Sequence, residues 1–318
     1  MLFVYFPDWI KPEIIPGLPV RWYGLMYLLA FAVTYLLFRK QMKEEKIEMS
    51  DDDVSNLFFA LILGLILGAR ILSALVYDTS GIYWRKPWLI FWPFMNGQFV
   101  GLQGMSYHGG LIGAVLGGMI FSWRKKLYFP AMADRILLGV PLGYTFGRLG
   151  NFINGELFGR VTTSRIGIVF PHAQRFSPDM QWVKDVAAEI GMDISAMSSV
   201  NLPRHPSQLY EAFAEGILLW LILWFIIRKR KKYEGAVTGW YLIGYGTFRF
   251  IIEYFREPDE GLDFPILLGD PSPNYIFSSL LNFTTGQIFC FLMILSGILC
   301  LLFFRWRSSR REGTGLFL

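Results

Sequence analysis

The chain has 318 residues, of which 53% are hydrophobic and 17% aromatic, and its mean hydropathy of +0.39 excludes an ordinary soluble protein. Its two cysteines, Cys290 and Cys300, lie in one apolar stretch, which excludes a disulfide framework and a cysteine metal site. The net charge of +5 comes without a nucleic-acid-binding motif, so nucleic acid is not an expected partner.

Seven apolar stretches, two of them short and glycine-rich, predict membrane-spanning helices, because a hydrocarbon core about 30 Å thick needs about 20 apolar residues per span. In chain order they cover residues 21–38, 57–77, 108–123, 133–150, 209–227, 236–255 and 286–304. The predicted fold class is therefore an all-α polytopic membrane protein. We expect the whole chain, residues 1–318, to form a single membrane domain.

Basic residues predict the orientation of these helices, since short cytoplasmic loops are enriched in lysine and arginine. Sixteen of the 30 basic residues follow the first, third, fifth and seventh stretches, which places all of them on one side of the membrane. With seven spans, this pattern predicts an N-terminus outside the cell membrane and a C-terminus in the cytoplasm.

Two segments between helices are predicted to lie outside the hydrocarbon core. Residues 78–107 are dense in Trp and Phe and predict an interfacial aromatic arm, acting either as a simple anchor or as a gate for substrate. Residues 156–207, between the fourth and fifth helices, combine a strand-like run with apolar residues at helical spacing from Trp182 to Ile190. They predict a small extracytoplasmic (periplasmic) cap, with a loop that packs on nothing as the alternative.

Glycines recur at intervals of four residues on the second, third and fourth predicted helices. They are Gly64 and Gly68, then Gly109, Gly113 and Gly117, then Gly139, Gly143 and Gly147. Small residues at this spacing let helices approach closely. We therefore expect these three helices to form a tight bundle.

Charged residues inside spanning helices cost about 2.5–3.5 kcal/mol each on insertion scales, so they mark a bundle interior or a functional cavity. In the predicted orientation, six helices bring polar side chains to the level of the outer-leaflet headgroups. These side chains are Tyr23, Arg70, His108, Arg148, the run from His205 to Glu211, Arg249, Glu253 and Arg256. The alternative is that these side chains form ion pairs with a purely structural role, but such pairs would not need to lie at one depth on six helices.

The sixth helix carries Tyr245, Arg249, Glu253 and Arg256 on one face. Glu253 is expected to hold the Arg249 guanidinium in place, and the two arginines together with Arg148 leave a surplus of positive charge. A guanidinium presents a planar set of donors that fits phosphate in a two-point contact. The expected ligand is therefore the phosphate of an anionic lipid headgroup.

Five motifs follow one another along nearly the whole chain. They are RWYGLMY at 21–27, YHGGLIG at 107–113, GRLGNFINGELFG at 147–159, RHPSQLYE at 204–211 and GYGTFR at 244–249, the last followed by Glu253, Phe255, Arg256, Pro258 and Asp259. In residues and in order, these motifs resemble the prolipoprotein diacylglyceryl transferase family.

The resemblance implies transfer of the diacylglyceryl group from phosphatidylglycerol to a thiol, with release of glycerol phosphate. The acceptor implied is the lipobox cysteine in the signal peptide of a prolipoprotein, and membrane lipids are the other expected partners. It also implies a multi-pass protein of the bacterial cytoplasmic (inner) membrane whose active site faces the outer, periplasmic side. No metal and no organic cofactor are implied.

Three residues are predicted to be catalytic. Arg148 and Arg249 are assigned to the phosphate, where they stabilise the leaving oxyanion. His108 is assigned as the general base that removes the thiol proton, because its unperturbed pKa near neutrality suits proton transfer. The lipid phosphate is the alternative proton acceptor.

The remaining predicted site residues are assigned to substrate binding. They are Tyr23, Arg70, Asn151, Asn154, Glu156, Tyr245, Glu253 and Arg256. Glu156 has the capping of the chain turn after the fourth helix as an equally weighted structural alternative.

Other functions remain open from the residues alone. A transporter for an anionic solute would also gather arginines between helices, but it predicts a midplane site and inverted repeats, neither of which the sequence shows. A structural scaffold does not explain the intramembrane arginines. A different lipid-headgroup transferase is separated from the present prediction only by the motifs.

Overall fold

A computed structural model describes residues 3–15, 21–95, 97–99, 101, 104–258, 264–269, 274–277 and 279–313. Asp259, the last residue of the predicted motifs, lies outside these residues. The chain forms two compact units. The first unit consists of Met1–Phe38 and Asp134–Leu318, and the second unit consists of Arg39–Ala133.

The described residues are mostly helical. The helices are α1 (Trp22–Glu44), α2 (Asp51–Leu72), α3 (Ile82–Arg85), α4 (Tyr107–Arg124), α5 (Phe129–Leu137), α6 (Val140–Asn154), α7 (Gln181–Ile190), α8 (Ser207–Arg230), α9 (Ala236–Ile252) and α10 (Thr285–Gly313). A π-helical turn, Ser73–Tyr77, extends α2, and two π-helical segments, Ala212–Leu218 and Ile222–Ile227, lie within α8. Six of the seven predicted stretches each lie mainly within one helix, and the fourth is divided between α5 and α6.

Four helical segments of the described chain are long and apolar enough to cross a membrane: Trp22–Glu44, Asp51–Tyr77, Ser207–Arg230 and Thr285–Arg310. The protein is therefore a mostly helical membrane protein, as its composition predicts. At 1.5 Å per residue, the 15 residues of α6 extend only about 22 Å, which is shorter than a hydrocarbon core. The count of seven spans stays a prediction.

Three two-stranded sheets accompany the helices in the described residues. β1 (Val4–Tyr5) runs parallel to β4 (Ile168–Val169), β2 (Phe94–Met95) runs antiparallel to β3 (Gln98–Phe99), and β5 (Ile266–Leu267) runs antiparallel to β6 (Asn282–Phe283).

Residues 156–207 contain both elements that their sequence predicts, because β4 lies in the strand-like run and α7 covers the residues with helical spacing. Their apolar side chains form a buried cluster: Val161, Phe176, Val183, Ile190, Val200 and Leu202. The segment therefore has a packed core. Its place outside the membrane stays a prediction.

Glycines allow the closest helix contact of the second unit. A Cβ added at Gly64 would overlap the carbonyl oxygen of Gly113, and one added at Gly68 would overlap that of Gly109. This confirms the predicted close approach for α2 and α4, since only glycine leaves room for backbone against backbone.

The glycines of α6 have a different neighbour from the predicted one. A Cβ at Gly139 would come within 3.0 Å of Thr34 Cα, and one at Gly143 within 2.8 Å of the Ala30 carbonyl oxygen, so both face α1. Gly147 has no atom within 4 Å of such a Cβ. The prediction that these glycines pack on the second and third helices is wrong, because spacing identifies a contact face but not its partner.

In the first unit, α6, α8, α9 and α10 are held together by small residues and one buried acid. Gly216 of α8 lies against Thr145 of α6, and Gly239 of α9 lies against Gly297 of α10. Asp134 is fully buried and accepts hydrogen bonds from the Gly235 amide at 2.8 Å and from two groups of Thr238, at the start of α9. Gly244 of α9 also lies against Leu219 of α8, so α8 contacts both α6 and α9.

Candidate active site

Six charged residues from α6, α8 and the end of α9 meet in the first unit. We call them the arginine–glutamate cluster, which consists of Arg148, Glu211, Glu215, Arg249, Glu253 and Arg256.

Glu211 is the centre of the cluster and is fully buried. Its Oε2 lies 3.0 Å from Arg148 Nε and 2.9 Å from Arg249 Nη1, and its Oε1 lies 3.3 Å from Arg256 Nη1. A buried carboxylate is tolerated only where cations and hydrogen bonds replace its hydration. Glu211 is therefore the common partner that fixes three guanidinium groups.

Tyr144 connects Arg148 to the second glutamate of α8. Its hydroxyl accepts a hydrogen bond from Arg148 Nε at 2.6 Å and donates to Glu215 Oε2, and the Arg148 guanidinium lies 4.8 Å from the centre of its ring. Glu215 is fully buried and lies in the first π-helical segment of α8. Glu211 and Glu215 are four residues apart on one face of α8, so both carboxylates lie beside the same hydroxyl.

Glu253 holds the other side of Arg249, as its spacing predicts. Its Oε2 lies 3.0 Å from Arg249 Nη2 and 3.8 Å from Arg256 Nε. Its Oε1 accepts a hydrogen bond from Thr284 Oγ1 at 3.3 Å, and a Cβ at Gly286 would lie 2.6 Å from the same oxygen. The residues just before and at the start of α10 thus limit where Glu253 can lie.

The charges of the cluster balance formally, with three guanidinium groups and three carboxyl groups. The predicted surplus of positive charge is therefore wrong for the cluster. That prediction was based on the charges of the sixth helix and Arg148 and did not include Glu211 and Glu215 of α8.

Arg148 nevertheless keeps donors for a ligand. Its Nε is occupied by Tyr144 and Glu211, and no acceptor of the described residues lies within hydrogen-bond distance of Nη1 or Nη2. Its side chain is 17% exposed, so the cluster does not seal it completely. A guanidinium fixed through Nε, with the four N–H groups of its Nη atoms open, has the geometry for a two-point contact with phosphate.

The end of α6 is tied by Glu156. Its Oε1 accepts hydrogen bonds from Asn151 Nδ2 at 3.0 Å and Asn154 Nδ2 at 3.3 Å, and its own amide donates to the Asn151 carbonyl at 3.1 Å. Glu156 thus makes the contacts expected of a residue that caps the chain turn after α6. Tyr23 lies close by, since a Cβ at Gly150 would be 3.4 Å from its ring, and its hydroxyl is 3.0 Å from that of Tyr27.

Tyr245 of α9 is placed by other aromatic rings. Its ring centre lies 5.8 Å from that of Tyr144 and 5.9 Å from that of Tyr241. It therefore borders the cluster on the side of Tyr144.

Arg70 and His108 belong to the second unit. Arg70 is buried, and its guanidinium donates to the Ile90 carbonyl, to Tyr83 Oη at 3.0 Å and to the Gly104 carbonyl at 3.4 Å. These contacts hold Tyr83, Ile90 and Gly104 of the predicted arm at the end of α2. His108 lies in the first turn of α4 with an exposed side chain, and its Nδ1 is 3.4 Å from Tyr77 Oη.

Comparison with known proteins decides the family. The sequence model described as "Prolipoprotein diacylglyceryl transferase" matches residues 12–303. The chain belongs to the prolipoprotein diacylglyceryl transferase family.

Curated members of this family are similar over almost their whole length. Proteins named "Phosphatidylglycerol--prolipoprotein diacylglyceryl transferase" from Treponema denticola and Treponema pallidum are 51% and 48% identical, covering 95% and 94% of this chain and 94% of each relative. One from Chlorobaculum tepidum is 42% identical and covers 99% of this chain and 96% of the relative. The resemblance that the five motifs indicate is thus confirmed.

The sequence-based prediction assigns no role to two residues of the cluster, Glu211 and Glu215, or to Tyr144, which contacts both of them. Glu211 and Glu215 stand out as acids in a spanning stretch, four residues apart, and Tyr144 precedes Arg148 by four residues on α6. The sequence shows this spacing. It does not show that α6 contacts α8, and only that contact brings these side chains together.

Proposed function

We propose that this chain transfers the diacylglyceryl group of phosphatidylglycerol to the lipobox cysteine thiol of a prolipoprotein, and that glycerol phosphate is released. The printed names of its relatives contain this donor and a prolipoprotein acceptor. One observation carries the proposal: Arg148 is held by Glu211 and Tyr144, while its Nη donors are open to a phosphate.

In this reaction the sulfur attacks the glyceryl carbon that bears the phosphate ester. A C–S bond forms, the C–O bond breaks, and glycerol phosphate leaves with the electron pair. Arg148 contacts the phosphate and stabilises the growing negative charge, a type of contribution worth about 3–4 kcal/mol where single donors have been removed. Arg249 and Arg256, held by Glu211 and Glu253, support the same site with their positive field.

The thiol has to lose its proton, because the thiolate is the nucleophile and a free cysteine has a pKa of about 8.5. We assign His108 as the base. Its exposed imidazole and its Tyr77 neighbour support this role, since a hydroxyl beside Nδ1 orients the ring. The lipid phosphate is the alternative acceptor.

Substrate binding falls to the polar groups around the end of α6. We assign Tyr23, Asn151 and Asn154 to headgroup hydroxyls or the peptide backbone. Asn154 supports this, because its Oδ1 is buried and has no hydrogen-bond partner in the described part of the chain. Glu156 keeps both amides in place, and Tyr245 forms an aromatic wall. Arg70 binds the arm in the described contacts, so its part in substrate binding stays a prediction.

We further propose seven membrane-spanning helices, with the N-terminus outside and the C-terminus in the cytoplasm. In this topology residues 78–107 lie at the interface, residues 156–207 form a periplasmic cap, and the site opens to the outer side of the bacterial inner membrane. The cluster supports it: Arg148 and Arg249 lie near the ends of α6 and α9, whereas Glu211 lies near the start of α8. The basic loops lie at the opposite helix ends.

The test uses the purified full-length protein in detergent with phosphatidylglycerol and a lipobox peptide. Glycerol phosphate release and the mass of the peptide are followed together, with phosphatidylcholine and a peptide with Cys replaced by Ser as controls. The proposal expects release only with phosphatidylglycerol and the cysteine peptide, with the mass gain of one diacylglyceryl group. Binding of the lipid without either product would overturn it and would favour anion transport.

A further inference from the structure

A polar pocket lies at the end of α8 that is remote from the cluster, beside the last turns of α10. It has a volume of about 400 Å³, and its lining includes Arg230, Lys231, Lys232, Trp240 and Arg305. None of these residues belongs to the arginine–glutamate cluster. A pocket of this size is large enough for a phosphate with a small polar substituent.

Within the described residues, the positive charge of this pocket is only partly neutralised. Lys231 pairs with Glu234 at 3.0 Å. By contrast, Arg230, Lys232 and Arg305 have no carboxylate partner within ion-pair distance in the described residues. Three uncompensated cations around one cavity attract an anion, because their mutual repulsion is relieved only when a negative charge enters.

A topology signal alone does not account for this arrangement. It predicts basic residues at the end of α8 but no particular direction for their side chains. The preceding residues point elsewhere: the Arg228 guanidinium lies 4.7 Å from the Trp224 ring centre and Lys229 Nζ lies 6.0 Å from that of Phe225. Only Arg230, Lys231 and Lys232 join Arg305 of α10 at the cavity.

The pocket and the cluster lie at opposite ends of α8, a helix that is long and apolar enough to cross a membrane. Glu211 lies near its start, and Arg230, 19 positions later, is its last residue. In the proposed topology, the cluster and the pocket therefore lie at the headgroup levels of opposite leaflets.

We propose that this pocket binds the phosphate-bearing headgroup of an anionic phospholipid in the leaflet opposite the active site. The cations supply the charge, and Ser308 supplies a hydroxyl donor. Ile227 and Trp240 form an apolar and aromatic side of the same cavity, which suits a lipid at the interface better than a free phosphate. This binding is additional to the proposed reaction and does not depend on it.

Native mass spectrometry of the full-length protein in detergent tests the proposal, with phosphatidic acid as the probe because it carries no glycerol headgroup. The pocket variant is Arg230→Gln/Lys232→Gln/Arg305→Gln. The matched control is Arg228→Gln/Lys229→Gln/Arg310→Gln, which removes the same charge from the same helix ends. A second variant, Ser308→Asp, places a carboxylate in the pocket and leaves all basic residues present. Titration with inorganic phosphate distinguishes a soluble anion from a lipid.

We expect the pocket variant to weaken one bound phosphatidic acid by about 100-fold, since each basic residue near a membrane surface contributes about fivefold. Ser308→Asp is expected to weaken it about fivefold, because it changes the charge by one unit, and the control variant and phosphatidylcholine binding should not change. Equal losses in the pocket and control variants would overturn the proposal, as would inorganic phosphate that competes at the affinity of the lipid. Retained peptide transfer by each variant verifies its fold.

Discussion

Two regions of the first unit bury arginine side chains in different ways. In the arginine–glutamate cluster, Arg148 uses Nε for Glu211 and Tyr144 and leaves Nη1 and Nη2 open. Arg204 is fully buried, pairs with Glu257, and lies within 5.2 Å of the Phe158 ring centre. The rings of Phe176 and Tyr275 enclose it further, at 5.3 and 5.9 Å. We call this enclosure the Arg204 cage.

The difference teaches that burial of an arginine does not by itself mark a binding site. Both side chains are largely removed from solvent, and both contact a carboxylate and an aromatic ring. The cage joins residues from three parts of the chain and leaves no room for a ligand beside the guanidinium. The cluster leaves Nη1 and Nη2 of Arg148 without an acceptor among the described residues, on a guanidinium that is held through Nε. Donors that no protein group uses distinguish a guanidinium that can bind a ligand from one that only stabilises the fold.

The largest effect is expected where one carboxylate serves several cations. Glu211→Gln leaves Arg148, Arg249 and Arg256 with one negative charge fewer in a buried site, so we expect a loss of about 3–5 kcal/mol in the free energy of unfolding. Transfer activity should disappear with it. Thermal unfolding in detergent measures the change, and Glu189→Gln on the exposed face of α7 is the control. An unfolding midpoint equal to that of the control would contradict the central role of Glu211.

The Arg204 cage should affect stability but not chemistry. Arg204→Met removes the pair with Glu257, which is 23% exposed and can regain water, so we expect a cost of about 2–3 kcal/mol. The folded fraction should retain transfer within about threefold, because no donor toward the ligand is lost. Arg165→Met, on the surface of the same segment, is the control. Loss of transfer from protein that is still folded would show that the cage takes part in the reaction.

A smaller effect tests how tightly Glu253 is held. Gly286→Ala places a Cβ against Glu253 Oε1 and moves this carboxylate away from Arg249, so we expect about 1–2 kcal/mol of destabilisation. Transfer should fall about tenfold through the misplaced guanidinium. The control is Gly24→Ala, whose Cβ meets no atom within 4 Å. Identical transfer rates for the two variants would mean that the position of Glu253 does not matter.

The smallest effect is a pH dependence outside the membrane helices. Burial, with a contribution from Arg160, lowers the pKa of His205 from 6.5 to about 4. As pH falls from about 6.5 to 4, the unfolded chain binds a proton that the folded chain does not, so stability decreases in this window. Allowing for its partial exposure, the loss is on the order of 1 kcal/mol. His205→Gln should flatten this slope in unfolding experiments at several pH values; a slope equal to that of the wild-type protein would contradict a neutral His205 in the folded chain.

Much of the fold follows from local sequence. Apolar length predicts the helices, and spacing along α9 predicts the pair between Arg249 and Glu253, because both depend on residues close in the chain. Apolar periodicity likewise predicts α7, and the glycine spacing of α2 and α4 predicts their close contact.

Long-range contacts are the part that the sequence left open. The spacing of Glu211 and Glu215 does not reveal that they face Arg148, 63 positions before Glu211, so the charge balance of the cluster could not be predicted. The glycines of α6 gave no indication that α1 is their partner. The Arg204 cage combines rings from residues 158, 176 and 275, and no local pattern unites them.

The central claim is that the open guanidinium of Arg148 receives the lipid phosphate. Arg148→Lys tests it most directly, because lysine keeps the positive charge but loses the planar donors. Transfer from phosphatidylglycerol to the lipobox peptide and the unfolding midpoint are measured on the same preparation. The account predicts a fall in transfer of about 100-fold or more with an unfolding midpoint that changes little. Transfer by the folded lysine variant at nearly the wild-type rate would contradict it.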